Sequence, residues 1–320
     1  MLRIHIVDKF CFGWSGGALE SLAVYDMLRG HADVTLWALE PPHPCYAGYT
    51  FLRVGQDGEP AGGTLILGGG HFTPGPWLER GNFSRIIVQL NSALFGEPLA
   101  IVRRVNASGL PAPEFVFPST ALRDMAAFPG RVIPSPISLS EFKPIEMLQP
   151  RPFTVGRMSR DVEIKHHEDD PSLYRMLGLQ GHRVRIMGGT CLSPYIGPDS
   201  RNIELLPAGV IPAPEFLQSL DCLFYRPHPK WHEAFGRIVL EAMACAVPVI
   251  IKRSVGASEW IRQGENGFVF DTQEEAWELL QSMALSAERR CSIGRAALET
   301  AQRIYSESAK SENKRWYLSN

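Results

Sequence analysis

Short runs of branched and aromatic residues recur along this chain at a regular rhythm. In the first part they stand at 4–7, 34–39, 64–67, 86–88, 115–117 and 131–134. In the second they stand at 153–158, 184–187, 203–206, 222–225, 249–251 and 268–270. Each is closed by glycine, proline or a polar cluster, as expected of strands buried on both faces. Between them lie stretches with apolar positions at helical spacing: 18–28, 120–127, 214–219, a run through Ile238, Leu240, Met243 and Ala244, and 258–263. From 273 onward the pattern is helical in three pieces, 273–287, 288–305 and 306–318. Only 41–62, rich in proline and glycine, resists placement and leaves room for two short strands. Strand and helix in alternation predict parallel, doubly wound sheets.

The chemistry concentrates between residues 231 and 259. Glu233 precedes Ala234-Phe235-Gly236, and Glu241 stands eight positions after it on the helical run. Pro248 stops that run, and the apolar residues 249–251 follow as a strand. Glu233 is thus placed in the loop at a helix N-terminus and Glu241 in the first turns. Helical side chains lean back toward the N-terminus, so both carboxylates can face one crevice. That crevice is expected beyond the carboxyl end of a parallel strand, where open α/β sheets bind ligands. The N–H groups of Ala234, Phe235 and Gly236 can serve sugar or phosphate there, and glycine at 236 permits close approach. Two solvated glutamates on an ordinary amphipathic helix is the plainer reading, and the apolar residues on both sides argue against it.

This stretch resembles the donor-site signature of retaining GT-B glycosyltransferases, family 4 (glycosyl transferases group 1). The resemblance rests on Glu233-Ala234-Phe235-Gly236, Glu241-Ala242-Met243-Ala244 and Pro248-Val249. It implies an α/β, GT-B fold: two Rossmann-like doubly wound parallel-sheet domains facing a central cleft. The acceptor-side domain would span 1–145, joined by a last helix, about 306–320, that crosses back onto it. The nucleotide-sugar-binding domain would span 146–305. Residues 132–144 resemble the interdomain linker, with Ser135-Pro136-Ile137-Ser138 where the family usually carries Asn-Gly-Val-Asp.

The same resemblance implies roles. Glu241 would hold the ribose and Glu233 the transferred sugar. Arg157, in the turn Val155-Gly156-Arg157, and Lys165 would grip the donor diphosphate, a task Arg160 could share. The loop Gly16-Gly17, opening the helix 18–28, would lie near the diphosphate. Many family members carry a histidine at the end of a first-domain strand. Here the register gives Asn91, with His71 after Gly68-Gly69-Gly70 as the alternative, and His232 is a further candidate for sugar or acceptor contact. Ala246 stands where the family prefers glycine. Glu168-Asp169-Asp170 lacks the spacing of an Asp-x-Asp metal site and, preceding Pro171, is expected to cap a helix.

The implied activity is metal-independent, hexosyl-type transfer, with retention, from a nucleoside diphosphate sugar to a glycan, lipid-linked or small-molecule hydroxyl, as in polysaccharide biosynthesis. No metal and no cofactor beyond this co-substrate are expected. A GT-B sugar-nucleotide epimerase and a catalytically idle sugar-nucleotide binder are the alternatives.

Composition narrows the partners. The 320 residues suffice for two domains, and 45% hydrophobic content supports full cores. A net charge of −2, spread evenly, gives no nucleic-acid footprint. No apolar run is long enough to span a membrane, which leaves peripheral contact only. The six cysteines form no Cys-x-x-Cys pair and suggest neither disulfides nor zinc, as fits a reducing cytoplasm. The opening residues are expected to form a first strand rather than a signal peptide.

Overall fold

The structure, a computed structural model, describes residues 2–69, 72–126, 128–145, 151–197 and 200–319. The chain divides into two compact units: residues 1–136 with 307–320, and residues 137–306. Ile137 and Phe142 are buried among the core side chains of the second unit, so the division falls before them and not at 145.

The first unit is built on a seven-stranded sheet. Its strands are β1 (Arg3–Asp8), β2 (Asp33–Ala38), β3 (Phe51–Arg53), β4 (Thr64–Leu67), β5 (Arg85–Gln89), β6 (Glu114–Phe117) and β7 (Arg131–Val132). They run in the order β3-β2-β1-β4-β5-β6-β7, and every pairing is parallel. The second unit has β8 (Thr154–Met158), β9 (Arg183–Met187), β10 (Ile203–Leu206), β11 (Cys222–Tyr225), β12 (Val249–Lys252) and β13 (Phe268–Phe270). Their order is β10-β9-β8-β11-β12-β13, again parallel throughout. In each sheet the order reverses beside the first strand, at β1/β4 and at β8/β11, and such switch points are where open sheets bind ligands. The central strands are buried along most of their length, which is why they read as unbroken apolar runs.

Several elements differ from the sequence reading. The stretch 41–62 holds one strand, β3, and a 3₁₀ turn, Pro44–Tyr46. The helix Gly96–Ala107 was not foreseen: Pro98 lies in its first turn, where proline is tolerated, and masks the apolar spacing of Ile101 and Val105. The expected helix 258–263 is a 3₁₀ turn, Gly256–Trp260. The first-unit helix expected at 120–127 is Thr120–Ala126, with residue 127 outside the described residues. Asp169 makes no side-chain cap to the helix Asp170–Leu179, and Asp170 is buried in ion pairs, so the expected acidic cap is not formed. Ala246 has φ +57°. It closes the helix Arg237–Ala244 in a Schellman turn, with Val247 N–H donating to Ala242 O and Ala246 N–H to Met243 O, both at 3.0 Å.

The helix Glu307–Leu318 packs within the first unit. Arg85 donates to the carbonyls of Trp316 (2.8 Å) and Ser319 (2.9 Å), and its guanidinium lies 4.6 Å from the Trp316 ring centroid. The cation therefore sits where the free carbonyls and the helix dipole favour it. Tyr317 is buried and accepts from Gln89 Nε2 at 3.1 Å.

Candidate functional site

Three carboxyl-end features of the second sheet converge on Glu233. Tyr225 closes β11, Lys165 lies on the segment after β8, and the loop 226–236 leads into the helix Arg237–Ala244. Glu233 Oε2 accepts from Lys165 Nζ (2.7 Å), Tyr225 Oη (2.7 Å) and Trp231 Nε1 (3.3 Å). Its Oε1 takes no hydrogen bond from any described residue. Burial pushes the carboxyl pKa up, but Lys165 and the donors from Tyr225 and Trp231 outweigh it and hold Glu233 below the usual carboxylate range. Burial also lowers the Lys165 ammonium, and Glu233 offsets part of that. The result is an ion pair at neutral pH with one carboxylate oxygen saturated and the other available.

The loop is held by backbone. Gly256 N–H donates to Glu233 O (2.9 Å) and Ala257 N–H to Phe235 O (2.6 Å). A Cβ on Gly256 would run into the Ala234 carbonyl oxygen, so only glycine admits this contact. Gly236 stands at φ +78°, and a side chain there would also strike Val255 Cγ1. Ala234 and Phe235 are buried, whereas His232 is exposed.

Glu241, in the helix that begins at Arg237, is 5% exposed. Arg237 Nε donates to its Oε1 at 2.6 Å, one helical turn away. Burial raises the Glu241 carboxyl above its ordinary value, and Arg237 offsets only part of the rise.

Arg157, expected at the diphosphate, is buried. Its side chain is 0% exposed and presents no surface to a ligand. It donates to Arg226 O (2.7 Å) and to Lys165 O, lies 4.4 Å from the Tyr225 ring centroid and stands 3.9 Å from Asp170. Asp170, also fully buried, pairs with Arg226 at 2.6 Å. Carbonyls of two loops thus satisfy its two terminal nitrogens, while its Nε has no hydrogen-bond partner among the described residues.

In the first unit Gly16 opens the helix Gly16–Leu28. A Cβ on Gly17 would meet the Asn91 amide, so these two predicted residues adjoin. Asn91 Nδ2 is buried without a hydrogen-bond partner among the described residues. The turn before the helix is fixed by Tyr46, whose hydroxyl accepts from Ser15 N–H (3.1 Å) and donates to Phe12 O (2.8 Å). His71 lies outside the described residues. Among the described residues no three His, Cys, Asp or Glu side chains are grouped to hold a metal ion. No described helix is long and apolar enough to cross a membrane.

Sequence reasoning missed Tyr225 as a donor to Glu233 and Gly256 as its clamp. Tyr225 ends a strand at the switch point, which is a usable signal. For Gly256 nothing local announces the partner, because the contact joins two segments apart in sequence.

Residues 211–300 match the model of the family described as glycosyl transferases group 1, and this stretch contains Glu233, Gly236 and Glu241. A D-inositol 3-phosphate glycosyltransferase of Arthrobacter sp. (strain FB24) is 37% identical over 76 residues, which cover 23% of this chain and 18% of that protein. Spore coat protein SA of Bacillus subtilis (strain 168) is 28% identical over 87 residues, 26% of this chain and 23% of that one. The chain thus spans less than a quarter of the length of the curated relatives it matches. Among solved structures, HepE of Anabaena in complex with UDP-glucose superposes with TM-score 0.74 at 14% identity over 99% of both chains. Sucrose-phosphate synthase from Thermosynechococcus elongatus gives 0.72 at 14% identity, over 99% of this chain and 98% of that one. The architecture is therefore the GT-B fold. Within it, residues 211–300 match the glycosyl transferases group 1 family model, the stretch that carries the motifs read in the sequence.

Proposed function

We propose that this chain is a glycosyltransferase that moves a sugar from a nucleoside diphosphate sugar to a hydroxyl acceptor with retention of anomeric configuration. The observation that carries the reading is the Glu233–Lys165 pair at the head of the helix bearing Glu241, inside the family-matched segment. Glu233, ionised and with Oε1 available, accepts hydroxyls of the transferred sugar. Lys165 and the N–H groups around Ala234, Phe235 and Gly236 face charge developing on the departing diphosphate. Glu241 accepts from the ribose hydroxyls, exchanging its bond to Arg237 for them. The Gly16-Gly17 turn keeps its part in donor binding, and Asn91, His71 and His232 theirs in sugar or acceptor contact.

In the step itself, the bond between the anomeric carbon and the diphosphate oxygen breaks. A bond to the acceptor oxygen forms on the same face, and the acceptor proton passes to the leaving phosphate oxygen. No carboxylate nucleophile and no metal ion is required by this sequence of events. Proton NMR of the first product formed tests it, with a chelator present in a parallel reaction. Retained configuration at an undiminished rate is expected. An inverted linkage would overturn the mechanism, and release of a free sugar product without an acceptor would favour the epimerase reading.

A further inference from the structure

The second sheet also gathers polar side chains at its amino end. Pro152 precedes β8, Arg183 opens β9, and Arg201-Asn202 lead into β10, three neighbouring strands whose starts lie side by side. With Gly181, Ile203 and Glu204 these residues line a cavity of about 260 Å³. Glu233 follows the carboxyl end of β11, so the cavity lies at the opposite end of the strands from the proposed donor site. Glu204 pairs with Arg185 in the parallel register, and its Oε2 accepts from Arg185 Nε at 2.5 Å. That bond holds the Glu204 carboxyl below its ordinary range and commits it to Arg185, which also donates to Ser219 Oγ. Arg183 reaches the same carboxylate oxygen only at 3.4 Å, long for a hydrogen bond, and its side chain is 55% exposed. Arg201 is exposed and makes no hydrogen bond and no ion pair with any described residue. Arg151, beside Pro152, donates to Ser219 O and stands 3.5 Å from Asp221, and its Nε is buried with no partner among the described residues. Arg151, Arg183, Arg185 and Arg201 thus stand with two described carboxylates, Glu204 and Asp221, which leaves two positive charges uncompensated among the described residues.

We propose that this cavity is a second ligand site, which takes the phosphate group of a small phosphomonoester between Arg183 and Arg201. A phosphate dianion matches the two uncompensated charges, and the planar fork of a guanidinium fits two of its oxygens. The volume falls below the roughly 300–1,000 Å³ of pockets for drug-sized ligands, so a phosphate with a few attached carbons suits it. Gly181 adds no side chain to the wall. Asn202 is anchored through Nδ2 to Gly178 O at 2.8 Å, which leaves its amide oxygen to accept a hydroxyl of the ester. Nothing at Glu233 enters this assignment.

The test is calorimetric titration of the wild type, Arg201→Ala, Arg201→Lys, Arg183→Ala and Lys165→Ala with glycerol 3-phosphate and with inorganic phosphate. Thermal melts establish that each variant is folded, and Arg201, which bonds to no described residue, is the substitution the fold should feel least. The wild type is expected to bind glycerol 3-phosphate at one site, more tightly than inorganic phosphate. Arg201→Ala and Arg183→Ala are each expected to weaken that binding about tenfold or more, and Arg201→Lys to recover part of the loss. Lys165→Ala, in the proposed donor site, is expected to leave it unchanged. Equal affinity for the two anions overturns the phosphomonoester in favour of free phosphate. Binding of neither anion, or wild-type affinity in a folded Arg201→Ala, overturns the site. A loss confined to Lys165→Ala places the anion at the donor site and overturns it equally, while the donor-site reading stands.

Discussion

At the scale of single residues, the site holds two glutamates in opposite electrostatic conditions. Glu233 is kept ionised by Lys165, and Glu241 is buried with its carboxyl pKa raised. A raised carboxyl pKa means the folded state disfavours the charge, so Glu241 detracts from stability above its ordinary pKa. Glu241→Gln is therefore expected to raise the melting temperature at pH 7 and to weaken nucleoside diphosphate binding. Scanning fluorimetry and calorimetry on the same sample check this, and a variant that is less stable but binds normally would contradict it. Ala246 poses a backbone counterpart, since an L-residue at φ +57° is strained. Ala246→Gly is expected to stabilise the protein by up to about 1 kcal/mol, read as a shifted urea midpoint at unchanged slope. The family preference for glycine had marked this position in the sequence, and the Schellman turn supplies the physical reason.

At the scale of elements, the segment after β8 carries the cations, and a buried imidazole ties it to the turn that follows β9. His166 Nε2 donates to Gly188 O at 2.8 Å, and burial lowers its pKa to about 3. Its ordinary value is 6.5, so the unfolded chain takes up a proton that the native state refuses as pH falls below that. The stability it contributes is complete above 6.5 and declines progressively from there toward 3. Melting temperatures measured from pH 7.5 to pH 5 are expected to fall, and His166→Gln to fall less steeply. This device was not legible in the sequence, where His166 has no distinguishing neighbour pattern. The strands were legible because burial on both faces makes them apolar throughout. The helix Gly96–Ala107 was not, because Pro98 stands in its first turn. Arg157 shows the limit most clearly: a strand-Gly-Arg turn identifies the residue but not whether its guanidinium faces a ligand or, as here, two loop carbonyls.

At the scale of the molecule, two parallel sheets each carry a switch point, and the proposed donor-binding residues Glu233 and Glu241 lie in the motif-bearing segment of the second unit. This architecture is shared by chains with few identical side chains, so function is argued from the site and not from the fold. The account stands or falls on Glu233 acting on a nucleotide-bound sugar. The direct measurement is nucleoside diphosphate release by the wild type and by Glu233→Gln across UDP-, GDP-, ADP- and TDP-sugars, each with and without hydroxyl acceptors. Release from at least one donor is expected, stimulated by acceptor and reduced about a hundredfold or more in the folded variant. Undiminished release by Glu233→Gln, or saturable donor binding with no release under any condition, would contradict it.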